Sequence, residues 1–347
     1  DIKEGIPYLI GASNIVKRSL FITRWTTKPI VISQKNDILI SCKGTIGEVI
    51  RNTIGDIHIA RQFMALRNNS IVDTNYIELY IRAILERIKS DARGVIPGIS
   101  REDILCREIL LPPLNEQKRI VLEASKLISI IEKINVDKNE LVKAIAAYKL
   151  TILQLAITGK LVPQDLSDEP AIELLKRINP AYKPADNRHY RNVPKGWAVC
   201  TFEDILEYEQ PQQYIVNSTD YSDEYEIPVL TAGKSFIIGK TNEKSGVCKR
   251  LPVIIFDDFT TDSKYVDFPF KVKSSAIKIL YAKGKVNPQY IAYLMSVTRL
   301  IGDTHKRYWI SEYSKIPIML PPVNEQEKIV SEIEKIYERL NKILAEL

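Results

Sequence analysis

Cysteine and histidine are scarce in this sequence, and they are scattered. The four cysteines, Cys42, Cys106, Cys200 and Cys248, lie far apart, and the three histidines are isolated from one another. Without a C-x-x-C pair or a Cys–His cluster, the sequence predicts neither a zinc site nor a disulfide framework. Reduced thiols in a cytoplasmic protein are the simplest interpretation.

Long apolar runs and cofactor motifs are also missing. No run approaches the ~20 residues that a membrane span needs, and no signal peptide is visible. There is no G-x-G-x-x-G fingerprint and no N-P-P-Y or D-P-P-Y segment, which disfavours a dinucleotide enzyme and an amino-methyltransferase. Residues 233–241 resemble a phosphate loop, but the spacing is one residue too long. Asp257, Asp258 and Asp262 could hold a metal ion, but such carboxylates are more often solvated, so no metal site is expected.

Length and charge constrain the number of domains and the kind of partner only loosely. The 347 residues carry a net charge of +6, with 45% hydrophobic and 27% charged residues. A chain of this length exceeds one ordinary core, so two or more domains are expected. The mild positive charge is compatible with a polyanionic partner but does not identify one.

The chain repeats itself. The motif L-P-P-L-N-E-Q at residues 111–117 returns as L-P-P-V-N-E-Q at residues 320–326. Further matches lie upstream, and they pair residues 6–9 with 227–230, 37–40 with 251–255, 75–81 with 288–294, and 99–104 with 310–316. This order predicts two similar domains, each followed by a helix. The second copy begins with V-P-K-G-W, about thirty residues before its first match, so the first domain is expected to lack its N-terminal part or to be naturally shorter.

Heptad spacing follows each copy of the repeated motif. The prolines should block a helix, and Asn115 and Asn324 are placed to cap the helix that comes next. Apolar residues then recur in steps of four and three, which is typical of a coiled-coil seam. The predicted residues for helix pairing or partner docking are Ile120, Leu127, Ile131, Ile134, Leu141, Tyr148 and Leu155 in the first helix, and Ile329, Ile333, Ile336 and Leu340 in the second.

The first heptad run is long. From Ile120 to Leu155 it would extend ~54 Å at 1.5 Å per residue, which favours pairing of the two helices, most simply antiparallel, over packing of each helix on its own domain. Gly159 should end the first helix. A connector with a short helix near residues 171–178 should follow.

Each domain is predicted to be mixed α/β. The predicted strands include residues 30–33, 38–41, 49–52, 65–67, 253–256 and 276–280, and the predicted helices include residues 75–90 and 288–300. The predicted bounds are 1–113 for the first domain, 114–159 for its helix, 160–193 for the connector, 194–322 for the second domain and 323–347 for its helix. The fold class is therefore α+β, with two similar mixed α/β domains separated by two long antiparallel coiled-coil helices in a pseudo-twofold repeat.

Loops at matching positions in the two copies are polar and basic, although their sequences differ. Arg, Lys, Gln, Ser and Thr are the side chains that contact phosphates and base edges. The predicted DNA-binding residues are Lys43, Thr45, Arg61, Gln62, Arg93 and Arg101 in the first copy, and Thr260, Thr261, Lys264, Tyr265, Lys306, Arg307 and Tyr308 in the second. Any one of them could equally be an ordinary surface residue, so the prediction depends on the matched loops as a set.

Several ordered segments resemble one known family. These are L-P-P-L-N-E-Q-K-R-I-V, L-P-P-V-N-E-Q-E-K-I-V, L-A-I-T-G-K-L-V at residues 155–162 and P-K-G-W at residues 194–197. They resemble the DNA specificity subunits of type I restriction-modification systems, over nearly the whole chain. The resemblance implies two target-recognition domains, each recognising one half of a bipartite site in double-stranded DNA, with the helical pair setting the gap between the halves.

The resemblance also implies which chemistry belongs to partners. It implies no catalytic residue and no cofactor in this chain. Two modification subunits would bind S-adenosylmethionine and methylate adenine, and restriction subunits would use ATP and Mg for translocation and cleavage. Two other interpretations stay open, namely a DNA-modifying enzyme with an unrecognised motif and a coiled-coil adaptor that makes no sequence-specific contact with DNA.

Overall fold

The computed structural model describes residues 4–16, 18–69, 71–91, 98–183, 192–233, 235–298, 300 and 306–347. Backbone contacts divide the chain into two units, residues 1–136 and 137–347. Each unit has hydrophobic clusters of its own.

Unit 1 contains two main sheets, a further two-stranded sheet and two helices. Its strands are β1 (Ile6–Leu9), β2 (Ile15–Val16), β3 (Ser19–Leu20), β4 (Arg24–Thr26), β5 (Ile32–Ser33), β6 (Ile38–Ser41), β7 (Val49–Arg51), β8 (Ile57–Ile59) and β9 (Phe63–Leu66), followed by the helices α1 (Thr74–Asp91) and α2 (Arg101–Leu105). The sheet orders are β4-β1-β8-β5, β7-β6-β9 and β2-β3. Successive residues of β6 point to opposite faces. Ile38 and Ile40 therefore pack with Ile81 of α1, whereas Leu39 packs with Leu9 of the other sheet.

Unit 2 has the same core with additional strands. Its elements are α4 (Ala171–Ile178), β10 (Ala198–Thr201), α5 (Phe202–Ile205), β11 (Leu206–Glu209), β12 (Ile227–Leu230), β13 (Ile237–Thr241), β14 (Val253–Asp257), β15 (Ser263–Val266), β16 (Lys271–Val272), β17 (Ile277–Ala282), α6 (Pro288–Val297) and β18 (Pro317–Leu320). The sheet orders are β11-β17-β14-β15, β13-β12-β16 and β10-β18. In β14, Ile254 packs with Ile291 of α6, whereas Ile255 packs with Leu230 of the neighbouring sheet.

The strand pairing repeats from one unit to the other. In unit 1, β6 is antiparallel to both β7 and β9, and in unit 2, β14 is antiparallel to both β15 and β17. The strand β1 pairs antiparallel with β4 and parallel with β8, as β12 does with β13 and β16. The predicted repeat of two mixed α/β domains is thereby confirmed. The strands β10 and β11 have no counterpart among the described residues of unit 1.

Two long helices follow the two copies of the repeated motif. They are α3 (Leu114–Ile157) and α7 (Val323–Glu346). Gly159, with φ of +69°, lies just past the end of α3, where the Lys160 amide donates to the Leu155 carbonyl at 2.9 Å, as predicted for a glycine stop. The predicted asparagine caps are wrong, because the helices begin one residue earlier, directly after the second proline of each motif. The Asn324 amide instead donates to Asp168 at 2.7 Å.

Within unit 2, the last part of α3 lies against α7. Ala156 shares a buried cluster with Ile329 and Ile333, near the start of α7. Two turns earlier in α3, Lys149 donates to the Asn341 side chain at 2.7 Å, and its carbonyl accepts from the Tyr337 hydroxyl at 3.1 Å. As α3 is followed backwards its contacts move forwards along α7, so the two helices are antiparallel here.

Candidate nucleic-acid interface

In unit 1, three loops meet where the central strand β6 ends. The Ile99 amide donates to the Cys42 carbonyl at 3.0 Å, and the Cys42 amide donates to the Gln62 carbonyl at 2.8 Å. These backbone bonds hold the loop after β6 against the turn before β9 and the segment before α2. Lys43 and Arg61, both exposed, are brought to the same end of the sheet.

A glycine makes room for one of the predicted contact residues. A Cβ at Gly11 would lie 2.2 Å from Oε1 of Gln62, so the Gln62 amide occupies the space that any side chain at residue 11 would need. A Cβ at Gly44 would lie 4.0 Å from the same oxygen. The Gln62 amide is thus held beside the Lys43 loop, and sequence reasoning missed the part that Gly11 plays in this.

The remaining predicted residues of unit 1 do not all lie at this loop junction. Thr45 is exposed on the loop after β6. Arg101 is the first residue of α2, and it lines a depression of about 630 Å³ beside β9 together with Asp37 and Arg67. Arg93 lies outside the described residues.

In unit 2, two loops meet at the corresponding end of β14. The Tyr308 amide donates to the Asp258 carbonyl at 2.9 Å, which parallels the bond from Ile99 to Cys42 in unit 1. The Trp309 amide donates to Oδ1 of Asp258 at 2.8 Å. The segment from residue 306 to residue 309 is therefore fastened to the loop after β14 by two successive amides.

Charge is buried beneath these loops. Nζ of Lys278 lies 3.3 Å from Oδ2 of Asp258, and the side chains are only 1% and 3% exposed. Lys278 also donates to Oε1 of Gln210 at 2.9 Å. Sequence reasoning missed this pair, although a lysine inside the apolar strand β17 is a signal that a buried counterion lies nearby.

The neighbouring carboxylates shape the turn. Oδ1 of Asp257 accepts hydrogen bonds from the amides of Phe259 and Thr260 at 2.9 and 3.0 Å. Oδ2 of Asp262 accepts from the Thr260 hydroxyl at 3.2 Å. Within the described ranges, no group of three or more His, Cys, Asp or Glu side chains is placed to hold a metal ion.

The predicted residues of unit 2 divide into surface and interior positions. Those that are exposed are Thr260, Lys264, Lys306 and Arg307, whereas Tyr265 is half-buried and both Thr261 and Tyr308 are buried. The Thr261 hydroxyl accepts from the Leu300 amide at 3.3 Å, so it helps to hold the segment after α6. The Arg307 guanidinium lies 5.8 Å from the Phe259 ring centroid, a cation–π distance that links the two loops.

The surroundings of three of these side chains shift their pKa values. Burial raises the pKa of the Cys42 thiol, which favours its protonated form at neutral pH. A hydrogen bond to Glu312 raises the pKa of Lys306, which keeps the ammonium charged. Burial, with Asp267 and Glu334 nearby, raises the pKa of Tyr265, whose hydroxyl therefore remains a donor.

The residue of the repeated motif with the clearest structural role is its glutamine. Oε1 of Gln117 accepts from the Asp73 amide at 2.8 Å, and its Nε2 donates to the Pro112 carbonyl at 2.8 Å. In unit 2, Gln326 accepts from the Asn287 amide at 2.8 Å and donates to the Pro321 carbonyl at 2.9 Å. Each glutamine therefore ties the start of a long helix to the start of the domain helix, α1 or α6.

The predicted helix-pairing residues also fall into two groups. Those that are buried or half-buried are Leu155, Ile329, Ile333, Ile336 and Leu340, and those that are exposed are Ile120, Leu127, Ile131, Ile134, Leu141 and Tyr148. Of these, Ile329 and Ile333 belong to the buried cluster that also contains Ala156 of α3, and Ile336 packs against that cluster. None of the described helices combines the length and apolar character that a membrane span requires.

Comparison with known proteins bears on both units. A family model described as the type I restriction modification DNA specificity domain matches residues 19–144 and 194–347. The chain belongs to this family. The two matched ranges of this specificity-domain protein contain the loop junctions of both units, the strands β3 to β9 of unit 1 and all the sheets of unit 2.

Curated relatives in the specificity family differ in their sequence identity to this chain and in the length over which they match it. The specificity subunit of type I restriction enzyme EcoR124I/EcoR124II from Escherichia coli is 46% identical over 153 residues, which are 42% of this chain and 38% of that subunit. The EcoAI specificity subunit, also from Escherichia coli, is 22% identical over 423 residues, covering 92% of this chain and 69% of the relative. The chain thus spans about two fifths of the first relative's length.

Solved structures share the fold of this specificity-domain protein. One, reported for complex assembly and conformational transition of the type I R-M system, has a TM-score of 0.64 at 12% identity and covers 97% of this chain and 85% of that chain. The HsdS subunit from Thermoanaerobacter tengcongensis has a TM-score of 0.51 at 14% identity, covering 97% and 84%. At these identities the likeness establishes a common fold.

Proposed function

We propose that this chain is a non-catalytic specificity subunit that recognises a bipartite target in double-stranded DNA, one half-site for each unit. The observation that carries the proposal is the repeated loop junction. In both units the carbonyl directly after the central strand, of Cys42 or Asp258, accepts a hydrogen bond from a returning loop, Ile99 or Tyr308. Each unit thus presents two loops at the same end of its sheet, on the same scaffold.

The exposed side chains at the two junctions differ, as two different half-sites require. Unit 1 presents Lys43, Thr45 and Arg61, with the Gln62 amide beside them, and unit 2 presents Thr260, Lys264, Lys306 and Arg307. Arginine and lysine neutralise phosphates and bind guanine edges, and glutamine binds adenine edges. Thr261 and Tyr308 are buried beneath this surface, so direct DNA contact by either one stays a prediction.

Partner subunits would supply the chemistry. We propose that two modification subunits, carrying S-adenosylmethionine, dock on apolar residues of α3, and that restriction subunits with ATP and Mg join this core. Leu127, Ile131 and Ile134 support the docking, because they are 62%, 58% and 59% exposed. An apolar stripe of that kind on one helix is suited to burial against other helices.

Mapping of methylated bases tests the proposal. Cells that express this chain with its modification partner should acquire methylated adenines in one motif made of two specified halves and an unspecified gap. Cells that express the modification partner alone are the control. A contiguous motif, or methylation that does not depend on this chain, would contradict the proposal.

A further inference from the structure

We propose that Asp258 is a positioning residue for recognition by unit 2, holding residues 306–309 against the loop after β14 through a buried carboxylate. This inference rests on the proposed function and deepens it. Asp258 is 2% exposed, so it cannot itself reach DNA. Its influence passes through the exposed Arg307, which directly precedes the two residues whose amides it holds.

The hydrogen bonds of Asp258 converge on one short segment. Its carbonyl accepts from the Tyr308 amide at 2.9 Å, and its Oδ1 accepts from the Trp309 amide at 2.8 Å. Two consecutive amides held by one residue fix both the position and the direction of the backbone. Arg307 immediately precedes these amides, and the direction in which it leaves the domain is therefore set by Asp258.

The ion pair beneath the loop accompanies the burial of Asp258 but is not itself the constraint on residues 306–309. Asp258 and Lys278 are both buried, and such a pair is often no more stabilising than apolar side chains of similar volume. A buried pair does demand one particular geometry, because either charge is costly when unpaired. Recognition of base edges needs contact groups held within about 0.5 Å, and the constraint of that kind on residues 306–309 is the acceptor that the Asp258 side chain offers to the Trp309 amide.

Unit 1 offers an internal comparison. Its corresponding junction has a bond from the Ile99 amide to the Cys42 carbonyl, at 3.0 Å, and residue 42 carries a thiol in place of a carboxylate. A change at Asp258 should therefore alter recognition of the half-site read by unit 2 and leave the other half-site unchanged.

Two double variants separate the hydrogen bond from the ion pair. In Asp258→Asn with Lys278→Met, both charges are removed, but the asparagine oxygen still accepts from the Trp309 amide. In Asp258→Ala with Lys278→Met, both the charges and the acceptor are removed. Both variants lack the two charges. The difference between them is therefore the side-chain oxygen that accepts from the Trp309 amide.

The measurement is made on the complex with the modification subunits. Its affinity is compared between the mapped target duplex and duplexes in which one half-site or the other has been replaced. The half-site at which the Arg307→Ala complex discriminates less than wild type is assigned to unit 2. A wild-type complex that discriminates at neither half-site refutes the proposed function before any variant is examined.

The expected result is specific to one half-site. The alanine double variant should lose about tenfold in discrimination at the unit 2 half-site, the effect of one lost positional constraint on a base contact, and keep the other within about twofold. The asparagine double variant should keep both within about twofold. Full discrimination in the alanine variant, equal loss at both half-sites, or a tenfold loss in the folded asparagine variant would overturn the proposal.

Discussion

Gln326 of α7 accepts a hydrogen bond from the backbone amide of Asn287 at 2.8 Å. Asn287 in turn caps α6, because its side chain accepts from the amides of Gln289 and Tyr290, both at 3.0 Å. Unit 1 repeats the arrangement with Gln117 and Asp73. The repeated glutamine therefore links the domain helix and the long helix through a buried polar contact in each copy.

Replacing this glutamine by leucine should loosen the junction. In Gln326→Leu, the Asn287 amide and the Pro321 carbonyl lose their partner, and each buried group left unsatisfied costs about 1–3 kcal/mol. Hydrogen exchange at the Asn287 amide should accelerate, and the melting temperature of unit 2 should fall. Glu327→Ala, at an exposed neighbouring position, is the matched control and should leave both quantities unchanged. Unchanged exchange at Asn287 in Gln326→Leu would show that the contact does not hold the junction.

Arg307→Ala should impair recognition on one side of the target. Arg307 is exposed and is linked to the neighbouring loop through the Phe259 ring, at 5.8 Å. A lost arginine contact to a base edge costs about 1–3 kcal/mol and relaxes specificity at that position. Competition binding with half-site-substituted duplexes should show the loss in one half alone. Lys176→Ala, an exposed cation on α4, controls for net charge, and a loss of equal size in that variant would assign the effect to charge.

Gly11→Ala makes the corresponding test in unit 1. The added Cβ would lie 2.2 Å from Oε1 of Gln62, and that atom ends a flexible side chain, so the amide can swing away at little cost in stability. The melting temperature should stay nearly constant while discrimination at the unit 1 half-site falls several-fold. Gly233→Ala is the control, because its Cβ would meet Thr231 at an ordinary 3.7 Å. Retained discrimination in Gly11→Ala would remove Gln62 from the contact surface.

Regular elements were predictable where an apolar run or a helical spacing was well defined. The predicted strand at residues 38–41 and the short helix at residues 171–178 coincide with β6 and α4. The predicted strand at residues 30–33 is wrong in part, since only Ile32 and Ser33 pair with β8. Short edge strands have too few residues for alternation to define their ends.

The loop contacts could be predicted only in part. Polar residue types indicated which loops to consider, but Thr261 is buried and its hydroxyl bonds to Leu300, thirty-nine positions away. The roles of Asp258 and Lys278 depend on a contact between β17 and the loop after β14, which no local pattern encodes. Composition identifies candidate contact residues, whereas tertiary pairing decides which of them reach the surface.

The glutamate of the repeated motif provides a test by pH. Glu325 is 2% exposed, its Oε2 accepts from Nε1 of Trp197 at 2.9 Å, and its Oε1 is buried without a hydrogen bond from any described residue. Burial raises its pKa above the ordinary value of 4.5, although the Trp197 hydrogen bond and Lys328 act in the opposite direction. The folded state therefore holds this proton more tightly than the unfolded state does.

The sign of the pH dependence follows from that difference. The contribution of a protonated Glu325 to stability is fully present below pH 4.5 and is lost as the pH rises through the raised folded-state pKa. Glu325→Gln stays neutral and keeps an acceptor for Trp197, so between acidic and neutral pH its stability should improve relative to wild type, by about 1.4 kcal/mol for each pKa unit of the shift. Chemical denaturation from pH 4 to 8 measures the difference. Glu327→Gln, at an exposed position, should follow the wild-type curve, and parallel curves for wild type and Glu325→Gln would mean that the carboxylate is not desolvated in the folded protein.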